Sequence, residues 1–167
     1  MNMIRNLQIF FVLTAVLLPL TGCGGTKLPP GMPPPVPCEV VVTQEGTPLE
    51  GAVVKLQPVD NSDWVAVGRT DESGKAVVYT MDQYKGAVAG KYRVIVSKTE
   101  TEEAKTVLSA AEAEAKGHDT SLASFYLVDT KYGMASSTTL EIEVVKGTPS
   151  YTVDVGKAVR VKIDDRR

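Results

Sequence analysis

The chain has 167 residues, with 18 Lys and Arg against 20 Asp and Glu and a formal charge of −2. That balance argues against a nucleic-acid partner, because binding phosphates needs clustered cations to displace counterions. One histidine and two cysteines are too few for the usual Cys/His zinc patterns, and the length suits a single domain.

In chain order, Met1–Asn6 carries one charge, Arg5, and Leu7–Leu20 is apolar apart from Gln8 and Thr14. That run is too short to cross a hydrocarbon core of about 30 Å as a helix. It has the charged head and apolar middle of a secretory signal. Leu20-Thr21-Gly22-Cys23 follows it. The four residues resemble the bacterial lipobox: an apolar residue, a small residue, Gly or Ala, then Cys. The resemblance implies a diacylglycerol thioether on Cys23, cleavage before it, and acylation of the new amino group with a fatty acid such as palmitate. Residues 1–22 are then a removed signal peptide, and loss of Arg5 takes the charge from −2 to −3. One acyl chain holds a protein marginally at a bilayer, whereas two or more hold it stably. The competing reading is an ordinary buried cysteine in a signal-anchor segment. Gly24 stands where Asp favours inner-membrane retention in some Gram-negative systems, which hints at the outer membrane. The expected location is extracytoplasmic, on the cell membrane or the outer membrane.

Residues 23–37 then read as a lipid-anchored Gly/Pro-rich linker. Gly24 and Gly25 give freedom, and Pro33–Pro35 favour an extended polyproline II course. The expectation is a spacer that lifts the domain off the bilayer. The alternative, a PxxP ligand, fits poorly outside the cytoplasm.

From Cys38 the pattern is short β-rich runs broken by turn signals, which predicts one domain over 38–163. Strands are expected at Glu39–Gln44, Gly51–Pro58, Trp64–Arg69, Lys75–Thr80 and Gly90–Lys98. Thr70-Asp71-Glu72-Ser73-Gly74 predicts a tight turn, with Asp71 accepting backbone N–H bonds and Gly74 at positive φ. Its flanking strands read as a hairpin. At Glu100–Lys116 the period changes to a helical one, carried by Ala104, Val107, Leu108, Ala111 and Ala115, so a helical insertion over 100–116 is expected. Strands resume at Ser124–Val128, Thr139–Val145, Tyr151–Val155 and Ala158–Ile163. Thr139–Val145 sets Leu140, Ile142 and Val144 against Glu141 and Glu143, the alternation of a half-buried strand. Ala158–Ile163 reads as an edge strand, and residues 164–167 as a disordered tail. Seven or eight short strands with turns about every ten residues predict an all-β, antiparallel β-sandwich.

Three stretches carry a family likeness: Gly46–Val54, Gly68–Ala76 and Ala89–Val94. They resemble the carboxypeptidase regulatory-like, transthyretin-like domains of bacterial lipoproteins. The family pattern is G-x-P-L-x-G-A-x-V, then T-D-x-x-G-x, then P-G-x-Y-x-V. The likeness covers Glu39–Lys98, and Leu127–Val155 also resembles these lipoproteins. Ala89 departs from the family by replacing the Pro before Gly90, and Val128-Asp129 stands where a Pro is often found. The resemblance implies a prealbumin-like sandwich with no catalytic residue to carry over.

Residue chemistry leads to the same place. His118 with Ser121 and Asp119 would make a hydrolase only if distant geometry allowed, since loop neighbours do not form a triad. Cys38 abuts the linker, lacks an activating basic context, and reads as a lone thiol at the domain edge. Asp60, Asp63, Asp71 and Glu72 lack the spacing of a calcium loop and read as turn caps. Trp64 with Tyr79 or Tyr84 would stack on a sugar if exposed on a flat face; a sole Trp in a small sandwich is otherwise core. The expectation is therefore a non-enzymatic protein with no cofactor and no metal. It is held to a membrane by the lipid on Cys23 and presents a β-sandwich to an envelope protein or glycan. The alternative is a carbohydrate- or small-ligand-binding module using Trp64 and Tyr84.

Overall fold

The computed structural model describes residues 27–60, 62–102 and 123–163. In chain order the strands are β1 (Glu39–Gln44), β2 (Thr47–Pro48), β3 (Val53–Pro58), β4 (Ala66–Arg69), β5 (Lys75–Val77), β6 (Tyr79–Thr80) and β7 (Tyr84–Lys85). They continue as β8 (Gly90–Ser97), β9 (Thr99–Thr101), β10 (Ser124–Tyr126), β11 (Glu141–Val144), β12 (Ser150–Asp154) and β13 (Val161–Lys162). A single 3-10 turn, Thr130–Gly133, is capped by the Asp129 side chain. No α-helix occurs among the described residues.

These strands form two main sheets and a small one. The first is built around β1, which pairs with β12, β2 and β5. The second has the order β11-β8-β3-β4-β6-β7, and the third β13-β10-β9. Alternation explains which faces are buried. Val40 and Val42 on β1, Val54 and Leu56 on β3, and Tyr92, Val94 and Val96 on β8 all point into one core. Ala76 of β5, Ala66 of β4, Val144 of β11 and Val153 of β12 join the same cluster. Both main sheets thus share one apolar interior, an arrangement consistent with a β-sandwich.

The longer expected strands fall within two residues of the observed ones, Ala158–Ile163 shrinks to Val161–Lys162, and the expected half-buried pattern at Thr139–Val145 holds. Ile142 is half-buried, Val144 buried, and Glu141 and Glu143 exposed. The predicted turn also forms. Asp71 Oδ1 accepts the backbone N–H groups of Ser73 at 2.9 Å and Lys75 at 3.0 Å, and Gly74 takes φ +74°.

Five expectations need correction. First, the sheets are antiparallel except for one pair: β1 and β12 run parallel, from Glu39 opposite Ser150 to Thr43 opposite Asp154. Second, the described residues alone form thirteen strands rather than seven or eight, because several are two- or three-residue pieces. Third, Lys75–Thr80 is not one strand of a simple hairpin. Its first half, β5, pairs with β1; its second half, β6, pairs with β4 in the other sheet. Val78 makes the corner, fully buried between the two. Fourth, the helix expected from Glu100 does not begin there, since Thr99–Thr101 is strand β9, paired with β10. The rest of that prediction, and His118 with it, lies outside the described residues. The insertion leaves and returns at one place, because Glu102 N donates to Ala123 O at 2.9 Å. Arg160 secures this small sheet: it pairs with Glu100 and Glu102 and lies 3.7 Å over the Phe125 ring.

The fifth correction concerns the linker. Residues 27–37, expected as a free spacer, lie against the domain as a strap. Pro30-Gly31 forms a turn with Gly31 at φ +80°, closed by Met32 N donating to Pro29 O. Met32 is buried. Val36 and Ala87 exchange a pair of backbone hydrogen bonds, 2.8 and 3.0 Å. The Tyr84 hydroxyl donates to Lys27 O at 2.9 Å. Eleven residues, six of them Pro, bury little area on their own, but adding to a waiting sheet corner satisfies their backbone groups.

Candidate functional site

Cys23, where lipid attachment is expected, lies outside the described residues, as do the signal peptide and the tail 164–167. What the fold decides is the setting of the other candidates. Trp64 lies two residues before β4, half-buried, beside Val65, whose carbonyl accepts from Met81 N at 3.0 Å. Tyr84 on β7 is also half-buried, and its hydroxyl is taken by the strap. The topology therefore brings Trp64, Met81 and Tyr84 to one end of the second sheet, and the Tyr84 bond to Lys27 O holds the start of the strap there, with Leu28 next in the chain. Tyr79, on the outer face of β6, is exposed.

The turn between β6 and β7 has unusual backbone. Met81 and Asp82 take φ of 54° and 57°, and Gln83 N donates to Thr80 O at 3.2 Å. Two successive positive φ values in a tight hairpin are the pattern that favours Asn and Gly. Here a methionine occupies the first position and leaves its side chain 47% exposed.

Cys38 is not at the domain edge. It is 2% exposed, inside the shared core. Burial first, and the neighbouring Glu39 carboxylate second, push its thiol up to about 11. A thiol so placed stays protonated and unreactive at neutral pH. Tyr92 is treated similarly by burial, which pushes its phenol to about 12, and its hydroxyl donates to Val88 O at 2.7 Å.

Of the acidic residues considered for calcium, Asp60 and Asp71 act as turn caps. Asp60 accepts from Ser62 N, and Asp71 from Ser73 and Lys75; those hydrogen bonds hold both carboxyls below the usual value. Among the described residues no three His, Cys, Asp or Glu side chains gather closely enough to hold a metal. A shallow, open depression along the β8–β11 edge is bordered by Lys91, Glu141, Ile142 and Glu143, the ordinary charges of an exposed strand edge.

Sequence reasoning missed two structural sites. One is the strap, signalled by Pro30-Gly31 as a turn dipeptide and by Met32 as an apolar residue in a polar run. The other is Asp154. Its carboxylate accepts from Thr43 Oγ1 at 2.7 Å, Gly46 N at 3.0 Å and Gly156 N at 2.7 Å, tying the parallel pair to the β1–β2 turn. No local signal marks Asp154, because two of its partners are more than 100 residues away. Compared with known proteins, the chain matches no family model, and no curated protein or solved structure is similar to it.

Proposed function

We propose that this protein is a lipid-anchored, non-enzymatic envelope protein that presents a prealbumin-like β-sandwich for structural or protein-interaction roles outside the cytoplasm. The observation that carries the reading is Leu20-Thr21-Gly22-Cys23 placed directly after a short apolar run.

The anchor is tested by metabolic labelling with palmitate in the wild type and Cys23→Ala. Label on the wild type alone is expected; equal labelling refutes the reading. The interaction role is tested by cross-linking the anchored protein in native envelopes, where a specific neighbouring protein is expected. The sugar-binding alternative requires the half-buried Trp64 to offer a flat face, and it predicts that Trp64→Ala abolishes retention on envelope glycans.

A further inference from the structure

We infer that the end of the second sheet carrying Trp64, Met81, Tyr84 and the strap residue Leu28 is a membrane-contacting face, seated in the headgroup–acyl boundary beside the anchor. This inference rests on the lipid-anchor reading of Cys23 and deepens it. Three observations carry it.

The first is reach. Three residues, Gly24, Gly25 and Thr26, separate Cys23 from Lys27. Four Cα steps span at most about 14 Å even when fully extended. Lys27 is itself held on the domain by the Tyr84 hydroxyl, and Val36 is bonded to Ala87. The strap therefore does not lift the domain away; it fixes which end lies next to the bilayer.

The second is chemistry. Leu28 is 38% and Met81 47% exposed, and Trp64 and Tyr84 at the same end are half-buried. Tryptophan and tyrosine favour the membrane interface because each ring has an apolar body and a polar tip. Lys27 and Lys85 are offset by Asp63 and Asp82 in the same neighbourhood, so attachment draws on apolar insertion rather than on anionic lipid.

The third is the Met81 backbone. A methionine at positive φ in the Thr80–Gln83 turn is locally costly, and Asn or Gly would relieve it. Strain kept at an exposed tip is a pointer to function. Here it aims an apolar side chain outward at the end nearest the anchor.

Trp64 is the sole tryptophan, so its emission reports this face directly. The test uses the full lipidated protein in phosphatidylcholine vesicles carrying bromine at shallow or deep acyl positions. Expected are a blue shift and strong quenching by shallow bromines, weak quenching by deep ones, and little change when anionic lipid is added. M81N relieves the backbone strain, so its fold is retained or stabilised, yet its quenching should fall while vesicle flotation persists. Unquenched Trp64 in protein that floats only with Cys23 intact overturns the membrane-facing proposal and leaves the anchor standing. Equal quenching in the wild type and M81N also overturns it. Flotation unchanged in Cys23→Ala overturns the anchor reading instead, and the membrane face that depends on it.

Discussion

At the scale of single residues, burial and hydrogen bonding set chemistry that composition does not reveal. Cys38 is the clearest case. Its ordinary thiol value is near 9, and the folded environment raises it to about 11. The folded state thus favours the protonated thiol. Its contribution to stability is intact below pH 9 and is lost as pH rises toward 11, because the unfolded chain ionises first. The thiol should resist alkylation in native protein at pH 8 and react at once in denaturant, which a mass-shift assay reads. Asp154 has the opposite sign. The Thr43 hydroxyl first, then the Gly46 and Gly156 amides, hold its carboxyl below 3.8. Its contribution is present above that value and lost as pH falls through the lower folded one. Asp154→Ala should cost about 1 kcal/mol in denaturant unfolding at pH 7, a modest figure because the group is solvated. The difference from wild type should shrink in acid. The Pro-rich run beside Cys38 predicts an edge residue; its burial comes from the core shared by both sheets, which local reading does not see.

At the scale of elements, turn chemistry and alternation were legible, while the strap and the sheet corner were not. The Asp71–Gly74 turn follows from residue types whose preferences act over four residues. Lys75–Thr80 alternates like one strand, and nothing local says that its two halves serve different sheets. The strap's docking depends on Gly86, whose missing side chain leaves room for the Val36 carbonyl; an added Cβ there meets Val36 backbone. Gly86 also takes φ +102°, a conformation that costs other residues more. Gly86→Ala should therefore displace the strap and expose residues 27–37 to limited proteolysis, with the rest of the domain resistant. Met32→Ala, which removes buried thioether without altering the corner, should cost about 2 kcal/mol at the low end for a core methionine. A chevron or equilibrium denaturation series on both variants checks the two effects separately.

At the scale of the whole molecule, the parallel β1–β12 pair joins the start of the domain to its end. β1 also touches β2 and β5, and its Val40 and Val42 sit in the core shared with the second sheet. A single cooperative unfolding transition is expected, with Trp64 fluorescence and Cys38 accessibility changing at one midpoint. Deleting residues from Ser150 onward removes β12 and uncovers one side of β1. The truncated chain should lose that cooperative transition outright, as near-ultraviolet circular dichroism would show. Pairing across so much chain also places the protein among slow folders, since loop-closure entropy precedes the contacts that repay it.

By itself the sequence determined where the longer strands and the Asp71–Gly74 turn fall, which side chains face inward along those strands, and that the described part of the domain is built of strands. Those properties follow from a two-residue period and from turn preferences that act between near neighbours. Only the tertiary structure decided which strands pair, that one pair is parallel, that Cys38 is buried, and that a Pro-rich run expected to be a spacer is held as a strap. Each of these depends on partners tens to more than a hundred residues away. Backbone groups of the strap, the corner at Val78 and the carboxylate of Asp154 are satisfied only once those distant surfaces are in place.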